Sequence, residues 1–311
     1  MKEESITCWR GPSDIQAMSF DRFVRQRMGM LSWNRVRRLI VTGKLTINGQ
    51  IVRDLTARVK AGDEVVLKPH AQNDSTRLRL SVSPVFVDSQ IVIVNKPAGI
   101  STVAFDELER GTLLELVQRS LSGTDHCRAP SVHVVHRIDK ETSGLVVFAR
   151  TRSALKRLKQ LFRAHNIERR YLALAQGRLD DRTYRSRLVV DRGDGRRGST
   201  LNSRLGQEAI THIRPLEYFD TATLVQCRLE TGRTHQIRIH LAEAGHPLLG
   251  EKVYSVCRTR TTTVTRTMLH AECLGFEHPL TGAPLEFSAE VPRDMAKLIR
   301  ELRGATIESK Q

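Results

Sequence analysis

The sequence predicts an α+β fold in two parts, a small basic unit followed by a larger strand-rich one. Three observations carry this. Residues 19–69 hold two short helical patterns, then short strands separated by tight-turn signals. HAQNDSTRLRL, residues 70–80, is polar and aperiodic, as a connecting segment is. From about residue 81, strand-like apolar runs dominate over a few helices, which argues for a mixed, mainly antiparallel sheet. The expected organisation is a first domain over 15–70, a linker over 71–80 and a sheet domain over 81–305.

Within the first part, Ser19 is placed to cap a helix carrying Phe20, Phe23, Val24 and Arg27. Ser32 is placed to cap a second, with Val36, Leu39 and Ile40 inward and Gly43 at its end. KLTINGQIV then supplies two strands around Asn48-Gly49, a strong tight-turn signal, and AGDEVVLKP another turn and strand. Residues 19–69 contain eleven basic residues against four acidic ones. Such an imbalance exceeds that of an ordinary solvated face, so Arg22, Arg35, Arg37, Arg38 and Lys44 are expected to meet a nucleic acid.

In the second part, VFVDSQIVIVN reads as two strands divided at Asp88-Ser89. SVHVVH, GLVVFA, YLALAQG, LVQCRL and HQIRIHL read as further strands. Ser153–Arg163 is the clearest helix, with Leu155, Leu158, Leu161 and Phe162 at helical spacing and Lys156, Arg157, Lys159 and Arg163 around them. The last helix spans Arg293–Leu302, packing Met295, Leu298, Ile299 and Leu302. DRGDGRRGS, residues 191–199, is a Gly/Arg-rich loop, suited equally to meeting phosphates or to being a flexible connection.

The net charge of +16 and pI near 10.2 point to a polyanionic partner. No basic amphipathic helix with an aromatic edge favours a membrane surface instead. The five cysteines are scattered and odd in number, with no CxxC pair, so neither a zinc ribbon nor a disulfide framework is expected. MKEESITCWRGPSD lacks the apolar core of a secretory signal, and no apolar run is long enough to span a bilayer. A cytoplasmic setting and a monomer are expected.

Three windows could carry chemistry. HRIDKETSG, residues 136–144, interrupts two apolar runs with charge. Asp139 there can serve as metal ligand, general base, nucleophile or loop cap, and Thr142, Ser143 and Gly144 suit a tight backbone around it. In RLETGRTHQIRIHLAEAGHPLLG, residues 228–250, Gly232 opens a turn before Arg233, whose planar fork suits a carboxylate or a phosphate. His235 and His240 lie five apart, so on a strand they face opposite sides and do not share a metal. In IERRYLALAQG, residues 167–177, Tyr171 by itself reads as a core residue of a strand.

Taken together, NKPAG (95–99), HRIDKETSG (136–144), ERRYLAL (168–174), TGRTHQIRIHLAEAGHPLLG (231–250) and LHAECLGFEHPLTG (269–282) resemble, in order, the motifs of the RluA-type pseudouridine synthases. SWNRVRRLIVTGKLTINGQ with VKAGDEVVL resembles the S4 RNA-binding domain, which is common ahead of the synthase domain in the ribosomal-RNA members. Some positions depart from the pattern. Ile138 stands for the usual Leu, the segment after NKPAG lacks His-Pro, and GEKVYS has Glu251 for Asp and Ser255 for Gly.

The resemblance implies conversion of uridine to pseudouridine in ribosomal RNA, with the large-subunit RNA or its assembling subunit as the expected partner. The alternative is a non-catalytic RNA-binding or assembly protein that retains the fold. No electrons enter and no group is acquired, so no cofactor and no metal are expected, in keeping with the missing nucleotide-binding and metal-ligand motifs. It further implies that Asp139 acts at the ribose, by attack on C1′ or by removal of the C2′ proton, with Arg233 paired to it. Tyr171 would pack on the uracil and aid removal of its C5 proton, Leu269 would wall the base, and Arg137 would fill the space left by the flipped uridine. His136 would line the substrate pocket. Lys156 and Lys159 lie in residues 150–170, where eight basic residues face one acidic residue, and would contact phosphates.

Overall fold

A computed structural model describes residues 7–11, 18–29, 31–41, 43–52, 54, 57–67, 81–105, 109–122, 131–255 and 264–308. The expected linker over 71–80 lies outside the described residues. Two compact units divide the chain: Met1–Leu80 with Asp106–Arg110, and Ser81–Phe105 with Gly111–Gln311.

In the first unit, β1 (Thr7–Arg10) precedes β2 (Met18–Ser19), helices α1 (Phe20–Met28) and α2 (Trp33–Val41), and then β3 (Leu45–Ile47), β4 (Gln50–Ile51), β5 (Arg58–Val59) and β6 (Glu64–Leu67). Ser19 sits at the N-cap of α1 without a side-chain capping bond, whereas Ser32 Oγ accepts from Arg35 N at 3.4 Å. Asn48 and Gly49 both have positive φ, the geometry a two-residue hairpin turn needs, and they join β3 to β4. The inward faces of both helices close on the sheet through Phe20, Phe23, Val24, Val36, Leu39, Ile40 and Leu45.

Arg22, Arg35 and Arg37 stand exposed on this unit, and Arg37 pairs with Asp21 at 3.4 Å. The Arg38 side chain is outside what is described. Lys44 is a correction: expected to reach RNA, it is only 5% exposed. Following the Gly43 helix end, its amide turns back to the Leu39 carbonyl, which draws the residue inward beside Leu45.

The second unit is built on an eleven-stranded sheet. Its strands are β7 (Pro84–Val87), β8 (Ile91–Lys96), β9 (His133–Val134), β10 (Ser143–Ala149), β11 (Glu168–Gln176), β12 (Arg182–Val189), β13 (Gly198–Ser199), β14 (Gln207–Tyr218), β15 (Ala222–Leu229), β16 (Leu269–Glu277) and β17 (Pro284–Ser288). The order is β13-β12-β14-β15-β11-β16-β10-β8-β7, with β17 on β16 and β9 on β10. Among the described residues only β10 and β16 pair in parallel, so the mainly antiparallel, mixed sheet is as expected.

Among the described residues four helices flank the strands: α3 (Leu113–Leu121), α4 (Arg152–Arg163), α5 (Gln236–Glu243) and α6 (Arg293–Glu308). Thr151 Oγ1 caps α4 by accepting from Ala154 N at 3.1 Å, and Leu158 and Leu161 pack on β8 and β10 residues. Met295 and Ile299 of α6 join Leu172, Leu174 and Leu224 in a second core cluster, and the helix runs six residues past the expected Leu302. Lys156 and Lys159 are exposed on α4.

Two helices were not expected, and β12, β13, β14, β16 and β17 are strands over segments given no strand reading. GTLLELVQRSL forms α3, capped by Thr112, where no helix was read. HQIRIHL forms α5, not a strand. Its apolar and polar residues alternate, but Gln236 to Leu241 are all buried. A helix buried all round shows no amphipathic stripe, and short runs of this kind mimic period two.

Candidate active site

The parallel pairing of β10 and β16 explains the Thr-Ser-Gly that ends the charged window. Gly144 has φ +115, and a Cβ on it would stand 2.2 Å from the Ala271 carbonyl oxygen. Glycine therefore allows β10 to close on β16 at Ser143↔His270 and Gly144↔Ala271. This brings the loop before β10 beside Leu269, the first residue of β16.

That loop is held from several sides. The Thr102 hydroxyl donates to the Ile138 carbonyl at 3.0 Å, and Gly99 N donates to the Lys140 carbonyl at 2.8 Å. The fully buried Lys96 ammonium reaches the carbonyls of Pro97, Ile100 and Lys140 at 2.9–3.1 Å. Burial pulls the Lys96 pKa down to about 7, while Asp139 and Glu141 resist that fall. Arg266 Nη1 donates to the Glu141 carbonyl at 3.2 Å. The NKPAG window thus serves the loop that carries Asp139.

Asp139 faces a pocket of about 290 Å³ that collects every residue expected at the catalytic and substrate positions: Asp139, Tyr171, Arg233, Arg137, Leu269 and His136. Its side chain is 18% exposed. The expected Arg233 partnership is corrected: Arg238 Nη1 lies 3.3 Å from Asp139 Oδ2, whereas Arg233 Nε donates to the Glu208 carbonyl at 2.9 Å. The physical reason is α5. Once the chain turns into a helix after Arg233, Arg238 falls one turn inside and presents its guanidinium to the loop.

Glu251 fixes that guanidinium, accepting from Arg238 Nε at 2.7 Å and Nη2 at 2.9 Å. The Glu251 carboxylate is fully buried and also accepts from Val253 N and Tyr254 N. Burial opposes the Arg238 charge, but Glu251 and Asp139 outweigh it and raise the Arg238 pKa. The Glu251 carboxyl is held below its ordinary range, its burial overcome by Arg238.

His235 begins α5 in a left-handed conformation, φ 60. Its Nδ1 lies 2.6 Å from the Tyr254 hydroxyl and its Nε2 3.8 Å from Asp139 Oδ1. Burial lowers its pKa, with Asp139 opposing.

On the opposite wall, β11 and β16 shift register between Arg170 and Tyr171, leaving Glu272 as the extra residue. Bulges re-aim neighbouring side chains, and Tyr171 lines the pocket alongside Leu269. Burial raises the Tyr171 pKa to about 12 against the pull of Arg169, so at neutral pH it is a phenol. His136 accepts a bond from Val147 N at 3.1 Å and stacks on Phe162 at 4.7 Å. Burial pushes its pKa down to about 3, which makes it a neutral support beneath the pocket edge. Arg137 is exposed at that edge.

Residues that sequence reading missed are Arg238, His235 as a neighbour of Asp139, Glu251 as an anchor, and Arg169 in the lining. The three-residue spacing of His235 and Arg238, one face of a helix, was the available signal.

Comparison with known proteins agrees with this arrangement. Residues 90–243 match the RNA pseudouridylate synthase family and residues 18–65 the S4 domain. The chain is 34% identical over 307 residues to "Ribosomal large subunit pseudouridine synthase D" of Vibrio parahaemolyticus, covering 93% of this chain and 92% of that one. It is 35% identical over 303 residues to the protein of the same name from Zymomonas mobilis, covering 91% and 93%. Among solved structures, "Human RNA Pseudouridylate Synthase Domain Containing 4" shares the fold, with a TM-score of 0.60 at 22% identity over 71% of this chain and 93% of that one. The chain belongs to the RNA pseudouridylate synthase family, with an S4 domain in front of the synthase domain.

Proposed function

We propose that this protein isomerises specific uridines of ribosomal RNA to pseudouridine, with large-subunit RNA as its substrate and Asp139 acting at the ribose. The observation that supports the reading best is the Asp139 carboxylate in the pocket, 3.3 Å from an Arg238 that Glu251 already grips. The names of the relatives support the choice of RNA.

The reaction breaks the N1–C1′ bond, turns the uracil and joins C5 to C1′, after which C5 loses its proton. Atoms and electrons balance within the nucleotide. Asp139 can attack C1′ or take the C2′ proton; either is work for a carboxylate held in place. Arg238 and His235 constrain where its oxygens point. Tyr171 and Leu269 make the walls between which the base turns, and Tyr171, a phenol at pH 7, offers a hydroxyl and not a phenolate. The C5 proton then goes to Asp139, free again once the new bond has formed, and a proton returns to N1, which kept the electron pair of the broken glycosidic bond, so that Asp139 ends as a carboxylate.

The uridine must leave its stack, at a cost of a few kcal/mol. Arg137 at the pocket edge is placed to enter the gap. Arg22, Arg35 and Arg37 of the S4 domain and Lys156 and Lys159 of α4 supply phosphate contacts without reading sequence. We place the reaction in the cytoplasm, by a monomer. Tritium release from ribosomal RNA labelled at uridine C5 tests the function. Release by the wild type is expected, and its absence under conditions where RNA binds would favour a non-catalytic RNA-binding protein. Deuterium at C2′ separates the routes: a slowed reaction marks proton removal there, an unchanged rate marks attack on C1′.

A further inference from the structure

The pocket carries more positive charge than its carboxylates match. Arg238 is answered by Glu251 and Asp139. Two other lining guanidinia, Arg169 and Arg233, stand at Gly232 with no carboxylate ion pair among the described residues. Arg169 is 7% exposed, and its Nη2 donates to the carbonyls of Glu230 at 2.7 Å and Leu229 at 3.4 Å. Its Nε is buried and has no hydrogen-bond partner among the described residues. A Cβ on Gly232 would lie 2.5 Å from Arg169 Nη1, so the glycine makes room for this guanidinium beside Arg233. The two cations repel: Arg169 is pushed below its ordinary pKa, chiefly by burial and further by Arg233. The adjacent Arg170 makes the contrast, since it has Glu286 at 2.8 Å and Glu168 at 3.5 Å.

A buried cation beside a like charge is costly unless an anion joins it. A second groove, of about 560 Å³, shares Gly232 and Arg233 with the pocket and is walled by Leu188, Val190, Leu205 and Arg197. The groove therefore adjoins the catalytic pocket at Gly232 and Arg233, with Arg169 on the pocket side.

We propose that Arg169 and Arg233 together bind a backbone phosphate of the RNA next to the flipped uridine, and that the groove beyond Arg233 receives the neighbouring nucleotide. The inference rests on the functional reading above. A ribose presented to Asp139 brings its own two phosphates with it, and the planar forks of two arginines suit one phosphodiester. The apolar walls of the groove suit a base, and Arg197 its phosphate.

The test uses the full chain and an RNA hairpin that the wild type converts. The hairpin is made with a single neutral methylphosphonate linkage on the 5′ or the 3′ side of the target uridine. At one of these two positions the neutral linkage should weaken wild-type binding about tenfold, as loss of a charge-assisted contact does. Arg233→Gln should weaken binding of the natural RNA similarly and lower the salt dependence by about one charge. In Arg233→Gln, where Arg169 alone remains at the phosphate, the neutral linkage should then have a clearly smaller effect than in the wild type. Losses that simply multiply at both positions would overturn the proposal. Arg233 lies in a loop, so the result does not depend on Arg169 variants folding. Tritium release by the wild type from the same hairpin keeps the readings apart: release with multiplying losses refutes only the phosphate site, whereas no release from any ribosomal RNA hairpin refutes the functional reading as well.

Discussion

HRIDKETSG, residues 136–144, and DRGDGRRGS, residues 191–199, are built from the same kinds of residue and are held in opposite ways. The first is gripped from outside, by Lys96, Thr102, Gly99 and Arg266, and by the contact of Gly144 with β16. The second is tied to itself over residues 191–196, where Asp191 Oδ1 accepts from Gly193 N and Gly195 N and Arg192 pairs with Asp194 at 2.8 Å, and is held from outside mainly at its end, where Glu243 accepts from Ser199. Composition alone does not separate a catalytic loop from a surface loop. What separates them is whether buried donors elsewhere in the fold are committed to holding the loop in one place.

The largest expected difference lies between two glycines of nearly equal backbone angle. Gly144 has φ +115 with Ala271 against it, while Gly193 has φ +111 with nothing within 4 Å. Gly144→Ala should cost more than about 3 kcal/mol, from collision plus strain, and Gly193→Ala about 1 kcal/mol, from strain alone. Urea unfolding of the two variants checks this, and equal losses would break the contrast.

Next is the guanidinium. Arg238→Lys replaces a fork bonded to two carboxylates by a point charge that cannot span both, and turnover should fall about 10–100-fold. Arg192→Lys alters an exposed pair and should shift stability by no more than about 0.5 kcal/mol. Single-turnover rates and unfolding midpoints for both variants would reveal a reversed order.

Lys96 gives a pH signature. Its folded pKa, about 7, lies below the unfolded value, so between about pH 7 and 10 the unfolded chain holds the extra proton. Its contribution to stability therefore rises with pH across that window, by at most about 1.4 kcal/mol per unit, and its penalty is fullest below pH 7. Lys96→Met should remove this slope, and parallel stability curves for the two proteins between pH 7 and 9 would contradict it. The smallest effect is electrostatic: Lys156→Ala and Lys159→Ala should each lower the salt slope of RNA binding by about one charge, read from affinities at several salt concentrations.

Much of the site was legible because its chemistry sits in contiguous windows. Asp139, Tyr171 and Leu269 fall in the pocket where their motifs implied, and strand patterning located β7 to β11 and β15 but not β12, β13, β14, β16 or β17. Arg238 was not legible because the α5 segment is buried on all sides, so its alternation read as a strand and hid which arginine turns inward. Lys44 was misread because charge counting assumes exposure, and a helix end can draw a lysine under its own turn. The hold of Lys96 on a loop more than forty residues away is a tertiary fact that no local pattern carries.

The account rests on the Asp139 side chain, and Asp139→Asn tests it most directly. Its shape is kept and its negative charge is lost, so hydrogen-bonded neighbours and RNA affinity should change little. Tritium release from C5-labelled ribosomal RNA should fall by at least about 10³-fold. A variant that bound RNA as the wild type does and still formed pseudouridine at a substantial fraction of the wild-type rate would contradict the assignment.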